Sequence, residues 1–138
     1  MTAQPLYTIE ILRLAASLAE PRALEREDGR AEARSPTCGS RIATAVQLEG
    51  RRVAAVSQEI HACAFGQAAA ALVEQHAVGR SAEEIDAAAR QLSAWLGGGA
   101  VDPPWDMAAL APALPRTGRH GAIMLPLRAL VGAIEAAS

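Results

Sequence analysis

Between Leu6 and Ala19 apolar residues recur at helical spacing through Ile9, Leu12, Ala16 and Ala19, with Glu10 and Arg13 on another face. This pattern predicts a first helix, ended by Pro21. Leu6, Ile11, Leu14 and Leu18 are apolar as well, so the helix is expected to lie across another surface. Residues 22–34 are densely charged around Glu25-Arg26-Glu27-Asp28-Gly29-Arg30, which predicts a solvated turn followed by an edge strand through Arg30 to Arg34. From Arg41 the period becomes two: Ile42, Thr44, Val46 and Leu48 fall on one side, Arg41, Ala43, Ala45 and Gln47 on the other. Glu49-Gly50 is a hairpin signal, and the β-branched run from Arg52 to Ile60 is the expected return strand.

The rest of the chain reads as helix. Ala64 to Gln75 carries small residues at Gly66, Ala68, Ala69, Ala70 and Ala71, which would let it approach a sheet closely, and Gly79 stops it. Ser81-Ala82-Glu83-Glu84 has the form of a capping box, in which a serine oxygen and a glutamate three places on satisfy free amides. It opens a helix over Ala82 to Leu96 with Ile85, Ala88, Ala89, Leu92 and Leu96 on one stripe, closed by Gly97-Gly98-Gly99. Residues 97–121 are irregular and proline-rich, with one helical turn expected at Met107 to Leu110. Pro126 lacks an amide and crowds the preceding turn, so the final helix is expected to begin close to Ala122 and to dock through Leu127, Leu130, Val131 and Ile134. No repeat or second domain is visible, and residues 1–138 read as one domain.

Composition narrows the function classes. A 51% hydrophobic chain of 138 residues can bury a core without disulfides, and with 3% aromatics that core is expected to be closely packed helices and a small sheet. A net charge of -2 and a pI near 5.9 supply no basic field for a nucleic-acid backbone. All 13 basic residues are arginine, which excludes a Schiff-base lysine. No apolar run reaches the ~18 to 20 residues of a membrane span, and the start lacks the pattern of an export signal, so the expected location is cytoplasmic.

In a reducing compartment the two cysteines are candidate thiols, metal ligands or redox centres before they are a disulfide. Cys38 lies in a turn, Ser35-Pro36-Thr37-Cys38-Gly39-Ser40, leading into a strand. Cys63 lies where the return strand gives way to the alanine-rich helix, and His120 stands just before the last helix. Helix N-termini present unpartnered amides and positive charge, which favours thiolate, the form that binds metal or attacks sulfur. Three soft or borderline ligands therefore sit on three loops at the ends of regular elements. His61 is a reserve ligand, on the same side as Cys63 if the segment is extended, whereas His76 reads as a solvated residue near a helix end. No C-x-x-C pair, phosphate loop, dinucleotide fingerprint or nucleophile elbow is present.

The order of Leu6-Tyr7 before a helix, Pro36-Thr37-Cys38-Gly39, a hairpin, Ala62-Cys63 before a small-residue helix, and Leu114-Pro115 to His120 before a last helix resembles the iron–sulfur cluster assembly scaffold family of NifU N-terminal domains, IscU and SufU. The resemblance spans nearly the whole chain. The long segment between Cys63 and His120 is more similar to SufU, and the histidine before the third ligand position is more similar to IscU. The resemblance implies an α+β, SufE/NifU-like fold, with a small three-stranded antiparallel sheet packed against helices. It also implies a site of three cysteines and an aspartate. Cys38 and Cys63 match the first two cysteines and His120 matches the histidine beside the third, but Gly121 stands in the third cysteine's place and Ser40 in the aspartate's. The chaperone-recognition stretch of IscU is replaced by Leu114-Pro115-Arg116-Thr117-Gly118.

The expected ligands are thus Cys38, Cys63 and His120, with His61 or Ser40 as a weaker fourth. Such a set implies iron or a labile [2Fe-2S] cluster, with a cysteine desulfurase and apo iron–sulfur acceptor proteins as partners, dimerisation being open. It describes a scaffold more than an enzyme. The alternative is a zinc-binding relay whose Cys63 or Cys38 accepts persulfide sulfur from the desulfurase. A third reading is a metal-free regulatory homologue in which both cysteines simply pack.

Overall fold

The computed structural model describes residues 7–36 and 39–137, an α+β arrangement of a three-stranded antiparallel sheet in the order β1-β2-β3 and packed helices. Helix α1 (Ile9–Ser17) precedes β1 (Gly29–Arg34), β2 (Arg41–Glu49) and β3 (Arg52–His61). Then come α2 (Ala64–Ala77), α3 (Ala82–Leu96), two 3₁₀ turns (Met107–Ala113 and Thr117–Arg119) and α4 (His120–Ala136). Gly50 turns the β2–β3 hairpin at φ 62°, and the register slips by a bulge between Gln47 and Leu48. Ser81 accepts from the Glu84 amide while Glu84 reaches back to the Ser81 amide, so the capping box forms as expected and α3 starts at Ala82.

The last helix is more central than its stripe predicts. Residues 122–127 of α4 are all buried, together with Ala129, Leu130 and Ala133. On one side Leu125 and Ala129 pack with Ile42, and Ala133 and Gly132 lie against Gly29 and Ala31. A Cβ on Gly29 would collide with the Ala133 carbonyl oxygen, so only glycine lets helix and sheet meet there. This also fixes direction: α4 starts near the end of the sheet holding Ile42 and finishes near the end holding Gly29. The helix begins at His120, two residues before the expected point, and keeps Pro126 inside it. The apolar burial around that proline offsets the loss of one backbone bond.

Helix α2 is sandwiched, with Ala68, Ala69, Ala70, Ala71 and Val73 all buried. Across the sheet beneath the helices, Thr44 and Gln58 are register partners and both are buried. The Gln58 amide donates to the Ala70 carbonyl at 2.9 Å, but Thr44 Oγ1 and Gln58 Oε1 have no hydrogen-bond partner among the described residues.

For the N-terminal third one expectation is corrected and one is extended. Helix α1 is shorter than Leu6 to Ala19, because Thr8 caps it by accepting from the Ile11 amide and Leu18 is already extended. Its buried residue is Ile11, on the alternative stripe, while Ile9 and Leu12 are exposed. Two apolar stripes shared one period, and packing on α2 selected one of them. The charged stretch before β1 is exposed, as a solvated turn should be, but it is also tied as a strap across the back of the sheet. The Arg22 and Arg26 amides donate to Ser57 Oγ and Gln47 Oε1, and Asp28 Oδ2 accepts from the Leu48 amide at 2.7 Å. Ala45 and Gln47 are buried on that back face.

Candidate metal and sulfur site

The topology collects three of the expected loops at one end. β2 begins at Arg41, whose register partner is His61 at the end of β3, so the β1–β2 loop and the β3–α2 junction share an edge of the sheet. Helix α4 starts at that end as well. Its first turn touches the first turn of α2, since a Cβ on Gly66 would lie 3.2 Å from the Ala122 carbonyl oxygen and 2.7 Å from Ala62 Cβ. Glycine at position 66 is therefore what allows the Cys63-bearing and His120-bearing helix ends to approach.

Cys63 is the N-cap residue of α2 and its side chain caps no amide, which leaves the sulfur available to other partners. It is half-buried and packs at the edge of the core beside Tyr7. The Tyr7 phenol lies near Cys63 and the start of α2. Burial raises the Tyr7 phenol above its ordinary value; charge on Cys63 adds to this, and the Arg119 guanidinium opposes it. The Tyr7 ring stands edge-on to the fully buried Phe65 ring, with centroids 5.0 Å apart. Sequence reasoning assigned no role to Tyr7 or Arg119, although Tyr7 is the chain's single tyrosine and directly precedes a helix cap.

His120 is the first residue of α4. Its Nε2 lies 2.9 Å from the Ala113 carbonyl oxygen and 3.1 Å from that of Leu114. Carbonyls only accept, so Nε2 carries the proton, and in the neutral ring Nδ1 keeps a lone pair. A metal-binding imidazole is held in this way, with one nitrogen tied to a carbonyl.

The other expected ligands are placed differently. Cys38 lies outside the described residues. Ser40 is buried at the base of its loop, where its carbonyl accepts from the Ser35 amide at 2.9 Å. Gly39, at φ 72°, takes the left-handed conformation that closes the loop. Cys63 packs at the margin of the helical core, whereas the His61 side chain at the end of β3 does not. It projects to the back face with Glu59, 3.6 Å away, and lines a cavity of about 220 Å³ with Glu32, Arg34 and Arg41. His76 is not simply solvated: it stacks on Trp105 and pairs with Asp106 at 3.2 Å. Among the described residues no three His, Cys, Asp or Glu side chains form a metal-binding group. Cys63 and His120 alone offer two donors of the chemistry that soft and borderline metals take.

No protein-family model matches the chain, and no curated protein is similar to it in sequence. Its likeness is to solved structures. A nitrogen-fixing NifU-like protein (N-terminal) from Brucella abortus superposes with a TM-score of 0.88 at 25% identity, over 96% of this chain and 94% of that one. A candidate iron–sulfur cluster assembly scaffold protein for the SUF system from Fervidobacterium islandicum AW-1 superposes with a TM-score of 0.82 over 94% and 96% of the two chains; at 18% identity that match speaks for the fold alone. The chain thus shares the fold of NifU-like and SufU scaffold proteins over nearly its whole length.

Proposed function

We propose that this chain is a divergent scaffold or carrier of iron–sulfur assembly, which holds iron or a labile [2Fe-2S] cluster as its cargo at Cys38, Cys63 and His120. The observation that supports this reading best is the meeting of the α2 and α4 N-termini at Gly66 and Ala122, beside the loop that bears Cys38. Cys63 supplies a thiolate and His120 its Nδ1, with Nε2 held by two carbonyls. Sulfur would come from a cysteine desulfurase and the cargo would pass to apo acceptor proteins, in the cytoplasm and without nucleic acid. No helix among the described residues is long and apolar enough to cross a membrane.

One observation favours a second reading. A [2Fe-2S] cluster ordinarily takes four protein ligands, whereas zinc is satisfied by three and a water; here Gly121 and Ser40 stand in two ligand positions and His61 faces away. In a zinc-bound relay, a Cys38 or Cys63 thiolate attacks the outer sulfur of the desulfurase persulfide. A new S–S bond forms, the donor's S–S bond breaks, and the donor cysteine leaves as thiolate.

Anaerobic reconstitution with iron and sulfide tests the first reading. Charge-transfer absorption should appear, vanish in Cys38→Ala and Cys63→Ala, and weaken in His120→Ala. Stoichiometric zinc in the isolated protein, with faster desulfurase turnover on its addition, would select the relay. Neither metal nor acceleration would leave a regulatory homologue whose cysteines only pack.

A further inference from the structure

We propose that the back face of the sheet carries a second binding site, a cradle for a small zwitterion of the α-amino acid type, separate from the metal and sulfur site. Strand register builds it. Arg34, Arg41 and His61 are successive partners across β1, β2 and β3, so two guanidiniums and an imidazole stand in one row at the end of the sheet. Two places further along each strand, Glu32, Ala43 and Glu59 are partners in the next row, with a carboxylate on either side of an alanine. Residues two apart share a face, so both rows lie on the side opposite Ile42, which packs on α4. All six line the cavity of about 220 Å³.

The first row is not what stability asks for. Like charges directly opposite across strands repel, yet Arg34 stands opposite Arg41. Elsewhere in the sheet and strap guanidiniums meet carboxylates: Arg26 pairs with Asp28 at 2.8 Å, Arg30 with Glu27 at 3.3 Å and Arg52 with Glu84 at 3.2 Å. Among the described residues Arg34, Arg41 and Glu32 have no such partner, while Glu59 meets His61 at 3.6 Å. The strap docks further along the sheet, on Ser57 and Gln47, and leaves both rows open. Two adjacent guanidinium forks fit a carboxylate, which each can bind through two parallel hydrogen bonds. The glutamates of the second row repel a simple anion and attract an ammonium. Rows two residues apart along a strand are separated by about 6.6–7 Å, a span that a carboxylate and an ammonium on one carbon bridge with a hydrogen bond at each end. The small Ala43 side chain between the acids leaves room for the ligand's body, and the cavity is smaller than the ~300–1,000 Å³ of pockets for drug-sized molecules, so the ligand is small.

Titration of the metal-free, ¹⁵N-labelled chain with glycine tests the site. The amide signals of Ala33 and Ala43, on the cavity floor, should shift saturably. Acetate and methylammonium, the two halves of glycine, and 6-aminohexanoate, whose charges stand too far apart, should each bind at least about tenfold more weakly, the effect of losing a charge-assisted hydrogen bond. Arg41→Gln and Glu32→Gln should weaken glycine binding by a similar factor, and because both positions are exposed their melting temperatures should match the parent's. Acetate binding as tightly as glycine overturns the proposal in favour of a plain anion patch. The absence of a saturable shift with glycine, or undiminished binding in either variant, overturns it as well. No metal enters this measurement, so its failure leaves the scaffold reading standing, and a chain that takes up neither iron nor sulfide leaves the zwitterion site to be decided by the titration alone.

Discussion

The two ends of α2 carry opposite chemistry. At the N-terminal end a thiol is presented next to a phenol, a guanidinium and the imidazole-bearing start of α4, among residues as small as Gly66 and Ala122. At the C-terminal end His76 is already satisfied. Its ring is stacked 6.2 Å from the Trp105 ring at 16°, Asp106 is in ion-pair reach, and Arg80 lies 5.6 Å from the Trp105 ring centroid. Trp105 and Asp106 take positive φ values of 55° and 62°, a conformation that costs non-glycine residues about 1–3 kcal/mol each. The polar and aromatic contacts with α2 are what hold that strained corner. One histidine is thus used to lock a loop, while the other keeps a nitrogen free.

The contrast can be broken most forcefully at Phe65. Phe65→Ala should cost about 3–5 kcal/mol, as truncation of a fully buried ring does, and should lower the denaturant midpoint while freeing Tyr7. Gly66→Ala comes next. Its new methyl would press on Ala62 Cβ and the Ala122 carbonyl, for a loss of about 1–3 kcal/mol and a matching loss of iron–sulfide retention as the two helix ends part. The sharpest comparison sets His76→Ala beside His120→Ala. The first should cost about 1 kcal/mol of stability and leave retention intact, because its ion pair is largely exposed; the second should reduce retention with little effect on the melting temperature.

Two smaller effects lie away from both ends. Thr44→Val removes a buried hydroxyl that has no partner among the described residues, so stability should rise by about 1 kcal/mol, measured by chemical denaturation. In the strap, the Arg26 guanidinium first, and then the Leu48 amide, hold the Asp28 carboxyl below its ordinary range. A carboxylate lowered in the folded state contributes stability that is present above the ordinary range near ~3.9 and fades as pH falls through the lower folded value. The protection of the Leu48 amide, measured as its exchange rate relative to the intrinsic rate at each pH, should therefore fall on acidification, and Asp28→Asn should flatten that dependence.

Local chemistry made much of this legible in the sequence. The Ser81 capping box, the Glu49-Gly50 hairpin and the positions of Cys63 and His120 at helix starts depend on residues within a few places of one another, and all are found. What could not be read depends on distant partners. Two apolar stripes on α1 were equivalent until α2 chose Ile11. Arg26 and Asp28 resemble a solvated pair until the β2 backbone is brought beside them. The proline rule placed the start of α4 near Ala122, but burial on every side of the helix outweighed one missing bond. His61 was read as sharing a side with Cys63 if the segment is extended; Cys63 is extended, yet it packs on the core while His61 lines the back-face cavity. Cys38 lies outside the described residues, so its meeting with the other two ligands remains part of the proposal.

Pro126 gives α4 an uneven ladder. With no amide at that position, the Ala122 carbonyl is released from the usual rung, between the turn that bears His120 and the deeply packed remainder. The first turn is therefore held less by its own ladder than by its packing on α2 at Gly66 and by the two carbonyls that His120 meets.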